Sequence, residues 1–421
     1  MKDDVAVLGA GIVGICTALS LAERGVAVRV IDRSEPGQET SYGNAGVISP
    51  WSIIPQSLPG LWRRIPALMI GPRRPLHVRL AHWPWMLPWG LAFVRQGTEA
   101  RVRRAADAME ILCGPSIELY RRHLAGTGED LLVRDSAYIH AFRDARRATL
   151  GALDYRIRQE KGALLEIIGA DCLREVEPAL SREFQAAVVI HGQARAMAPG
   201  RLARVLAEKA RSLGARFETA RITALSKSGA RWAVETDKRR FEVNRVVVAL
   251  GAWSAELLRP LGIKVPLAAE RGYHMEFPDP GVEINNSVMD TDAKIVASAM
   301  EGGARFAGQA EFGAVDAPPD HRITARIARC AREMFPDLAQ TEPRAWMGRR
   351  PSLPDSLPLI GEFEGMPGLH AAFGHSHYGL MMAPKTGELL ADLLTARQAN
   401  TGTDALSPNR FAPNRSQSVL A

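Results

Sequence analysis

The chain has 421 residues, of which 46% are hydrophobic and 24% are charged, a composition typical of globular proteins that excludes a disordered chain. This length predicts two domains rather than one. The formal net charge of +7 is mild for a chain of this length. Because no nucleic-acid-binding motif accompanies it, we expect no nucleic-acid partner.

The cysteines and the amino terminus indicate which kinds of site and which cellular compartment to expect. The four cysteines are scattered and form no Cys-x-x-Cys pair, so we predict neither a metal site nor a disulfide framework. An apolar strand begins almost at Met1, and no charged leader with an apolar core precedes it. We therefore expect a cytoplasmic protein.

The first predicted element is a strand–helix–strand unit around a glycine-rich turn. The apolar run Val5–Leu8 precedes this turn, a helical pattern follows it, and a second apolar strand ends at Asp32. Gly9 allows the tight turn, Gly11 lets a pyrophosphate approach the backbone, and Gly14 lets the helix lie close to the strands. The helix start faces the phosphate, and the terminal carboxylate can accept hydrogen bonds from a ribose. The unit therefore predicts a dinucleotide site.

Residues 50–97 are broken by eight prolines and hold five of the eight tryptophans. Their apolar part, 82–94, is too short and too rich in proline to span a bilayer. Tryptophan beside arginine is typical of an interfacial membrane contact, and the arginines of this region are Arg63, Arg64, Arg73, Arg74, Arg79 and Arg95. The segment predicts either such a contact or a buried loop or dimer contact.

The middle of the chain predicts alternating helices and strands. The predicted helices cover 98–124, 144–160, 202–213 and 319–335. The predicted strands cover 131–141, 184–191, 215–220, 271–277, 294–299 and 304–309, with a meander over 222–243. An apolar strand from Val246 runs to Gly251 and predicts a buried central position, which returns the chain to the first domain.

Near the carboxyl end, two glycine-containing segments follow one another. Residues 348–361 predict a proline-pinned loop that enters a short strand, and 369–373 predict another strand. Gly374 and Gly379 allow close backbone approach before a helix from Lys385 to about Arg397. A second helix start of this kind indicates a large cofactor held at both ends. The polar tail, 398–421, is predicted to be loose.

These motifs carry a family resemblance. The glycine fingerprint, the segment Thr40–Gly46, the Arg-Pro…Pro-Asp…Pro-x-Ile-Gly loop and the Gly-His…Gly…Ala-Pro-x-x-Gly segment occur in this order. Together they resemble the FAD-dependent D-amino-acid oxidase superfamily and, within it, the D-amino-acid dehydrogenase small-subunit group. Glycine oxidase is a more distant likeness. The resemblance covers 1–50 and 187–397.

The resemblance implies an α/β fold in which a Rossmann-like FAD-binding domain is interleaved with an α+β substrate domain built on an antiparallel sheet. The FAD-binding domain would comprise 1–50, 192–253 and 343–397. The substrate domain would comprise 51–191 and 254–342.

The resemblance also implies which residues hold FAD. The pyrophosphate and the adenosine ribose would lie against Gly9, Ala10, Gly11, Ile12, Val13, Gly14, Asp32 and Arg33. The ribityl chain and the flavin would lie near Ser41, Asn44, Ala45 and Gly46. The flavin ring would lie along Gly374, His375, Gly379, Leu380 and Met381, and Gly251 completes the predicted set.

For the substrate, the resemblance points to Arg350, which matches the arginine before proline that binds the substrate carboxylate in relatives. A guanidinium grips a carboxylate through two parallel hydrogen bonds and so fixes the direction of Cα–H. Arg349 alternates with it on an extended piece, so only one should face the site, and we assign Arg350. His377 stands where glycine oxidase has a second carboxylate-binding arginine. Tyr273 and Tyr378 are further candidates for the substrate pocket.

We therefore expect FAD-dependent oxidative deamination of D-amino acids or D-hydroxyproline-like analogues, with hydride transfer from Cα to flavin N5. Electrons would pass to a quinone or another carrier, with the protein cytoplasmic or on the inner face of the cell membrane. The alternatives are a sarcosine- or glycine-type amine oxidase that uses oxygen, an opine oxidase subunit, and a flavin-binding subunit without its own chemistry. A homo-oligomer is compatible with all of these.

Overall fold

The computed structural model describes residues 4–71, 73–396 and 402–412. Its strands are β1 (Val5–Leu8), β2 (Val28–Asp32), β3 (Val47–Ile48), β4 (Leu76–Val78), β5 (Val133–Phe142), β6 (Leu165–Gly169), β7 (Ala186–Ala196), β8 (Arg216–Thr219), β9 (Ile222–Ser228), β10 (Arg231–Thr236), β11 (Arg240–Val243), β12 (Arg245–Val248), β13 (Ala268–Phe277), β14 (Ser287–Asp290), β15 (Ile295–Met300), β16 (Gly303–Phe312), β17 (Arg344–Ser352), β18 (Leu359–Glu362) and β19 (Leu369–Phe373). Its helices are α1 (Ile12–Glu23), α2 (Leu61–Met69), α3 (Trp83–Arg95), α4 (Glu99–Cys113), α5 (Ser116–Leu124), α6 (Leu153–Glu160), α7 (Ala170–Val176), α8 (Pro199–Ser212), α9 (Ser254–Leu258), α10 (His321–Met334) and α11 (Gly379–Thr395).

A six-stranded sheet forms the first layer, in the order β18-β19-β12-β1-β2-β8. The pairs within β19-β12-β1-β2-β8 are parallel, and β18 is antiparallel at one edge. Every residue of β1 is buried, as are three of the four in β12. Strands covered on both faces read as continuous apolar runs, which is why the sequence pattern predicts them. The Rossmann-like layer is confirmed.

Helix α1 packs between this sheet and helices α8 and α11. The approach of α11 is so close that a methyl group at Gly387 would lie 2.5 Å from the carbonyl oxygen of Cys16. Cys16 is fully buried and packs as a small core residue. This packing fixes the starts of α1 and α11 relative to each other, and both starts matter for the site.

The second layer is a ten-stranded sheet with the main path β17-β13-β16-β15-β14-β5-β7-β3, to which β4 and β6 are attached. It is mainly antiparallel, with parallel pairs only at β14–β5 and β16–β4 among the strands described. Helix α10 covers one face through a buried cluster that contains Phe277, Phe306 and Ile327. A separate three-stranded sheet, β11-β10-β9, is the predicted meander.

Strand β17 corrects the prediction of a proline-pinned loop over 348–361. It pairs with β13 along its whole length, including Pro351 opposite Ala269. Proline is tolerated there because β17 is an edge strand, where one side of the backbone needs no ladder partner. The division into two domains stays a prediction. Since β17 belongs to the large sheet, the boundary proposed at 343 falls just before a strand of the other layer.

Three predicted helices differ clearly from the structure in their bounds. The helix predicted over 144–160 is α6, which begins only at Leu153. The helix predicted over 98–124 is two helices, α4 and α5, because Gly114 and Pro115 interrupt it. Helix α11 begins at Gly379 rather than Lys385 and contains Pro384. Proline cannot donate to the carbonyl of Leu380 four residues earlier, and the Tyr120 hydroxyl donates to that carbonyl instead, at 2.6 Å. The predicted end at Arg397 lies outside the described residues.

Part of the predicted loose tail is packed. Within 402–412, Leu406 is fully buried, and the Arg410 guanidinium bonds both carboxylate oxygens of Asp355, at 2.7 and 3.1 Å. The prediction of a loose tail is therefore wrong for this stretch. The rest of 398–421 lies outside the described residues.

The tryptophan-rich segment forms α2 and α3. Helix α2 has no buried residue, and α3 buries only Met86 and Trp89. Trp89 donates from its ring nitrogen to the carbonyl of Pro266 at 3.0 Å and packs on Phe312. The alternative of a buried loop is therefore wrong. Across the described ranges, no helix combines the length and apolar character needed to cross a bilayer.

Candidate active site

A single large cavity of about 1460 Å³ runs from the start of α1, past β13 and β17, to helices α2 and α3. Sites for drug-sized ligands occupy about 300–1,000 Å³, so this cavity has room for a dinucleotide together with a small substrate. It borders both large sheets, which explains why residues distant in sequence meet in it.

At one end of the cavity, the glycine turn has the geometry that the fingerprint predicts. Gly9 has φ +115°, and a methyl group there would lie 2.3 Å from the carbonyl oxygen of Ala249. A methyl group at Gly14 would lie 2.0 Å from the carbonyl oxygen of Gly9. At Gly11, by contrast, the nearest protein atom would be Ser41 Oγ at 3.5 Å. The protein's own packing thus requires Gly9 and Gly14, whereas Gly11 leaves space for a ligand.

Polar groups surround this turn. The Ile12 N–H at the start of α1 donates to Ser41 Oγ at 2.9 Å. Asp32 accepts from the N–H groups of Ala10 and Ser34, at 2.7 and 2.9 Å, and burial raises the pKa of its carboxyl above the ordinary value despite these bonds. Arg33 pairs with Glu39 at 2.8 Å. Each Asp32 oxygen keeps a second lone pair for a ribose hydroxyl.

The start of α11 borders the same cavity from the other side. Ser376 has φ +48°, its N–H donates to the carbonyl of Pro351 at 3.0 Å, and its buried Oγ has no hydrogen-bond partner among the described residues. The first turn of α11, at Gly379–Met381, presents backbone N–H groups that a helix leaves without an internal acceptor. This end therefore needs a ligand that accepts hydrogen bonds.

The residues present fit FAD. Two helix starts face one elongated cavity, and each carries partial positive charge from its N–H groups. The space at Gly11 suits a pyrophosphate, and the orphaned Ser376 hydroxyl with the α11 N–H groups suits the polar edge of a flavin. The fit rests on backbone geometry at both ends and not on the glycine motif alone.

Most of the predicted cofactor residues line the cavity. These are Gly11, Ile12, Val13, Asp32, Arg33, Ser41, Asn44, Ala45, Gly251, His375, Gly379, Leu380 and Met381. The other predicted residues are not in its lining and shape the backbone around it: Gly9, Ala10, Gly14, Gly46 and Gly374. Gly374 has φ +91°, and a methyl group there would lie 2.5 Å from Leu353 Cδ1. His375 donates from Nε2 to Thr386 Oγ1 at 3.0 Å, and burial lowers its pKa to about 3.

Arg350 and a carboxylate that sequence reasoning missed form the polar centre of the cavity. Arg350 Nη1 donates to Glu270 Oε1 at 2.7 Å and to the carbonyl oxygen of Gln309 at 3.0 Å. Burial acts to raise the pKa of Glu270, but the charge of Arg350 and the hydrogen bond from Ser352 hold it below the ordinary value. The buried ion pair thus holds one edge of the guanidinium.

Arg349 points to the nucleotide end of the cavity instead. Its Nε donates to the carbonyl oxygen of Val315 at 2.6 Å, and its guanidinium carbon lies 5.4 Å from the ring centre of Trp253. Its Nη1 is 4.0 Å from Glu39. The two arginines therefore lie on different parts of the cavity wall, in line with the alternation predicted for them.

His377 lies beside this ion pair. Gln56 donates from Nε2 to His377 Nδ1 at 2.8 Å, which leaves the proton of the neutral ring on Nε2. The exposed part of the His377 ring borders the cavity. Desolvation lowers the pKa of this ring to about 4. At neutral pH the ring is uncharged, so it can offer one hydrogen-bond donor but no second positive charge.

The two candidate tyrosines have their hydroxyls committed to the protein. Tyr378 donates to the carbonyl oxygen of Ile54 at 2.7 Å. Tyr273 borders the cavity, but its hydroxyl donates to Glu311, and burial raises its pKa to about 12. Along a strand, neighbouring side chains point to opposite faces, and Tyr273 packs in the cluster under α10. Its hydroxyl is thus committed to the protein, and its role at the substrate stays a prediction.

The aromatic wall of the cavity contains another residue that the sequence did not single out. The Trp346 ring stacks on His274 with centroids 4.9 Å apart and an interplanar angle of 17°. Methyl groups at Gly43 and Gly348 would lie 2.0 and 2.1 Å from this ring. Gly43 and Gly348 thus leave the space that the indole occupies. The sequence does not reveal this, because the three residues meet only once the strands are paired.

The cavity opens through an apolar mouth formed by α2 and α3. Its lining includes Trp62, Ile65, Leu68, Leu87 and Leu91. Of these, Trp62, Leu87 and Leu91 are more than half exposed. Between Glu39 and Glu99 the sequence has no acidic residue and six arginines. Arg73 and Arg79 pair with Glu333 and Glu311, at 3.1 and 2.6 Å. The mouth is therefore apolar and belongs to a segment with a net positive charge.

Comparison with known proteins identifies the family. A family model described as FAD dependent oxidoreductase (DAO) matches residues 4–393. The chain belongs to this family. This match confirms the family resemblance, the predicted fold and the FAD cofactor. The protein is an FAD-dependent amino-acid oxidase or dehydrogenase.

Individual relatives match over nearly the whole length of the DAO-family protein. It is 35% identical to a D-amino-acid oxidase of Bradyrhizobium diazoefficiens over 415 residues, which cover 97% of this chain and 98% of that one. It is 32% identical to a D-amino acid dehydrogenase of Rhodopseudomonas palustris, with 97% of each chain covered. Among solved structures, a glycine oxidase from Geobacillus kaustophilus has a TM-score of 0.72 at 24% identity, covering 97% and 99%.

Proposed function

We propose that the protein oxidises D-amino acids, or cyclic analogues such as D-hydroxyproline, at the Cα–N bond and passes the electrons to a quinone or another carrier. The observation that carries this proposal is Arg350, a guanidinium held at one edge by Glu270 with its remaining donors beside the cavity. A fixed guanidinium is suited to a bidentate carboxylate. The names of the two relatives support the D configuration.

Arg350 would orient the substrate by its carboxylate, and the neutral His377 would add one hydrogen bond from Nε2. FAD, when bound, supplies the hydride acceptor for Cα–H. It would be held by the start of α1 at the pyrophosphate and by the start of α11 at the flavin. The amine has to be uncharged to release the hydride, and none of the described groups near Arg350 has to act as a strong base for this.

The apolar mouth supports the carrier part of the proposal. An anionic bilayer would accept the exposed leucines and tryptophans of α2 and α3 together with the surrounding arginines. A membrane quinone could then enter an apolar opening that continues into the cavity. Peripheral attachment through 82–94 belongs to this proposal.

Anaerobic reduction tests the substrate class directly. Purified holoenzyme mixed with a series of D- and L-amino acids, sarcosine and glycine should lose its flavin absorbance with D-amino acids or D-hydroxyproline. Reoxidation by a quinone analogue should be faster than by oxygen. Bleaching by sarcosine or glycine with rapid peroxide formation would favour the amine oxidase alternative, and a colourless protein that takes up no FAD would end the proposal.

A further inference from the structure

Beyond Arg350 the cavity continues to a second polar end. We call this the distal end, and its members, all in the cavity lining, are Tyr138, His140, Asp154, Arg158 and Lys294. They come from strand β5, helix α6 and the loop between β14 and β15. None of them belongs to the cofactor motifs or to the Arg350 centre described above.

The strand register places the distal end across the same sheet as Arg350. Cross-strand partners run from His274 to Ala307, Val296, Met289 and His140. Partners in a ladder lie on one face, and the last four of these residues line the cavity. The face that carries the substrate site thus continues to β5.

The Arg350 guanidinium reaches toward that end. Its central carbon would lie 2.3 Å from a methyl group on Gly272, so it passes over β13, and Nη1 contacts the backbone of Gln309 on β16. Lys294 precedes β15, the next strand. A methyl group on Gly308 would lie 2.3 Å from the carbonyl oxygen of Lys294. Neighbouring strands are about 4.8 Å apart. Across the sheet, the Arg350 guanidinium and the backbone of Lys294 are therefore about one to two strand spacings apart, roughly 5–10 Å.

Lys294 stands where turn chemistry alone would favour glycine or asparagine. It closes the loop between β14 and β15 with φ +53°, in the left-handed region. In the described chain its ammonium has no ion-pair or hydrogen-bond partner. Burial, together with the charges of Arg64 and Arg147, lowers its pKa. The turn itself does not explain an unpaired, partly desolvated ammonium at a strained backbone position. Strained positions of this kind cluster at functional sites.

Two further polar side chains accompany Lys294. Arg158 is buried, and its Nε and Nη1 bond the carbonyls of Trp51 and Asp154, at 3.0 and 3.1 Å, so that Nη2 keeps its donors. His140 is 5% exposed, and its Nε2 has no partner in the described part of the structure. The Tyr155 hydroxyl lies 2.7 Å from His140 Nδ1. His140 therefore adds a buried ring nitrogen without a partner to this end of the cavity.

The charges at the distal end do not balance. Arg158 Nη1 lies 3.4 Å from Asp154 Oδ2, so Asp154 offsets that guanidinium. Asp154 and Asp292 also attract Lys294, but neither is bonded to it, and Asp292 pairs with Arg147. The two cations of the distal end thus outnumber its one carboxylate, and an ammonium without a direct partner at the end of an amino-acid cavity calls for an anionic group.

We propose that the distal end binds a second carboxylate of the substrate, so that the enzyme acts on amino or imino dicarboxylic acids. The inference rests on the proposed function and specifies its substrate class. Arg350 would hold the carboxylate next to the reacting Cα, and Lys294, the nearest cation of the distal end, would hold the other one. The second carboxylate could stand on the side chain or on the amino nitrogen, and both place two anions a few ångströms apart.

Binding of non-reactive anions tests the subsite without turnover. Flavin absorbance of the holoenzyme is titrated with succinate and glutarate and, as monocarboxylate references, propionate and butyrate. We expect the dicarboxylates to bind at least about tenfold more tightly, since one well-placed ion pair contributes about 1.4 kcal/mol or more. Lys294→Met should remove this preference and leave the monocarboxylates unchanged. Lys294→Arg should retain most of it.

Lys264→Met is the matched control, because Lys264 is exposed and outside the cavity lining. Equal affinity for dicarboxylates and monocarboxylates would overturn the proposal, and so would an equal loss of both in Lys294→Met. D-Glutamate and N-(carboxymethyl)-D-alanine, compared as substrates, show which position of the second carboxylate is used. Failure of the general function is separate, because then no amino acid bleaches the flavin while the anion titration can still be read.

Discussion

The guanidinium of Arg350 and the carboxylate of Glu270 oppose each other across β17 and β13, with Nη1 and Oε1 2.7 Å apart. The ion pair fixes one edge of the Arg350 guanidinium, the proposed partner of the substrate carboxylate. It also makes Arg350 contribute to the stability of the fold. Any change at Arg350 therefore has a consequence for binding and a separate one for stability.

Arg350→Met should reduce kcat/KM by an amount equivalent to about 2–5 kcal/mol, because the substrate carboxylate loses its partner. It should also destabilise the fold by up to about 3–5 kcal/mol, since Glu270 is left buried without its ion pair. Adding Glu270→Gln should recover much of the stability and none of the activity. Steady-state kinetics and urea denaturation of both variants check this. Normal kinetics in Arg350→Met would remove Arg350 from the site.

Gly11→Ala should separate cofactor binding from folding. A methyl group at Gly11 meets only Ser41 Oγ at 3.5 Å, so the protein should fold with near-normal stability. The same methyl group occupies the space assigned to the pyrophosphate, so the dissociation constant for FAD should rise at least about tenfold. Fluorescence titration of the flavin-free protein measures it.

Variants of two further glycines serve as comparisons for Gly11→Ala. Gly169→Ala is the matched control, because a methyl group there has no atom within 4 Å. Gly14→Ala should impair folding itself, since its methyl group would overlap the carbonyl of Gly9 at 2.0 Å. If Gly11→Ala bound FAD as tightly as the unchanged protein, the pyrophosphate would have to lie elsewhere.

The cofactor end could be predicted from the sequence because its signals are local. The glycine turn, the buried strand before it and the acid at the end of β2 lie within one continuous unit, and each has a fixed backbone role. The structure reproduces this arrangement around Gly9, Gly14 and Asp32.

The substrate end could be predicted only in part, because its contacts join distant strands. Glu270 and Arg350 meet although they are 80 positions apart in the sequence, and no spacing rule links them. Strand β17 was hidden by Pro351 and by the prolines that follow the strand, and Pro351 is acceptable because the strand is at an edge. The early start of α11 depends on a hydroxyl from Tyr120, far away in sequence. The packing of the Tyr273 ring under α10 likewise follows from strand alternation, which becomes visible only once the sheet is assembled.

The apolar mouth should bind anionic bilayers through α3. Leu87 and Leu91, 57% and 60% exposed, lie one turn apart, and burying each in lipid would contribute about 1.5–3 kcal/mol. The double variant Leu87→Asp/Leu91→Asp should therefore lose most of its co-sedimentation with vesicles that contain phosphatidylglycerol. Binding of the unchanged protein should weaken as salt rises, because arginines contribute.

The control for this prediction is Leu131→Asp/Leu164→Asp, which changes two leucines of similar exposure, 72% and 67%, outside the mouth. Circular dichroism verifies that both double variants are folded. Equal vesicle binding by the two, or none by the unchanged protein, would rule out this surface and favour a contact between copies of the chain.

His375 should make the stability of the enzyme sensitive to acid. Burial lowers its pKa from 6.5 to about 3, so between these values the unfolded chain binds a proton that the folded chain excludes. The free energy of unfolding therefore falls as the pH drops below about 6.5, by about 2 kcal/mol at pH 5 for this residue. His375→Gln keeps a donor for Thr386 and removes that titration. Its stability should decline about 2 kcal/mol less between pH 8 and pH 5 in urea denaturation of the FAD-saturated protein. His321→Gln, exposed in the first turn of α10, is the control. An unchanged pH dependence in His375→Gln would show that this histidine takes up a proton in the folded enzyme.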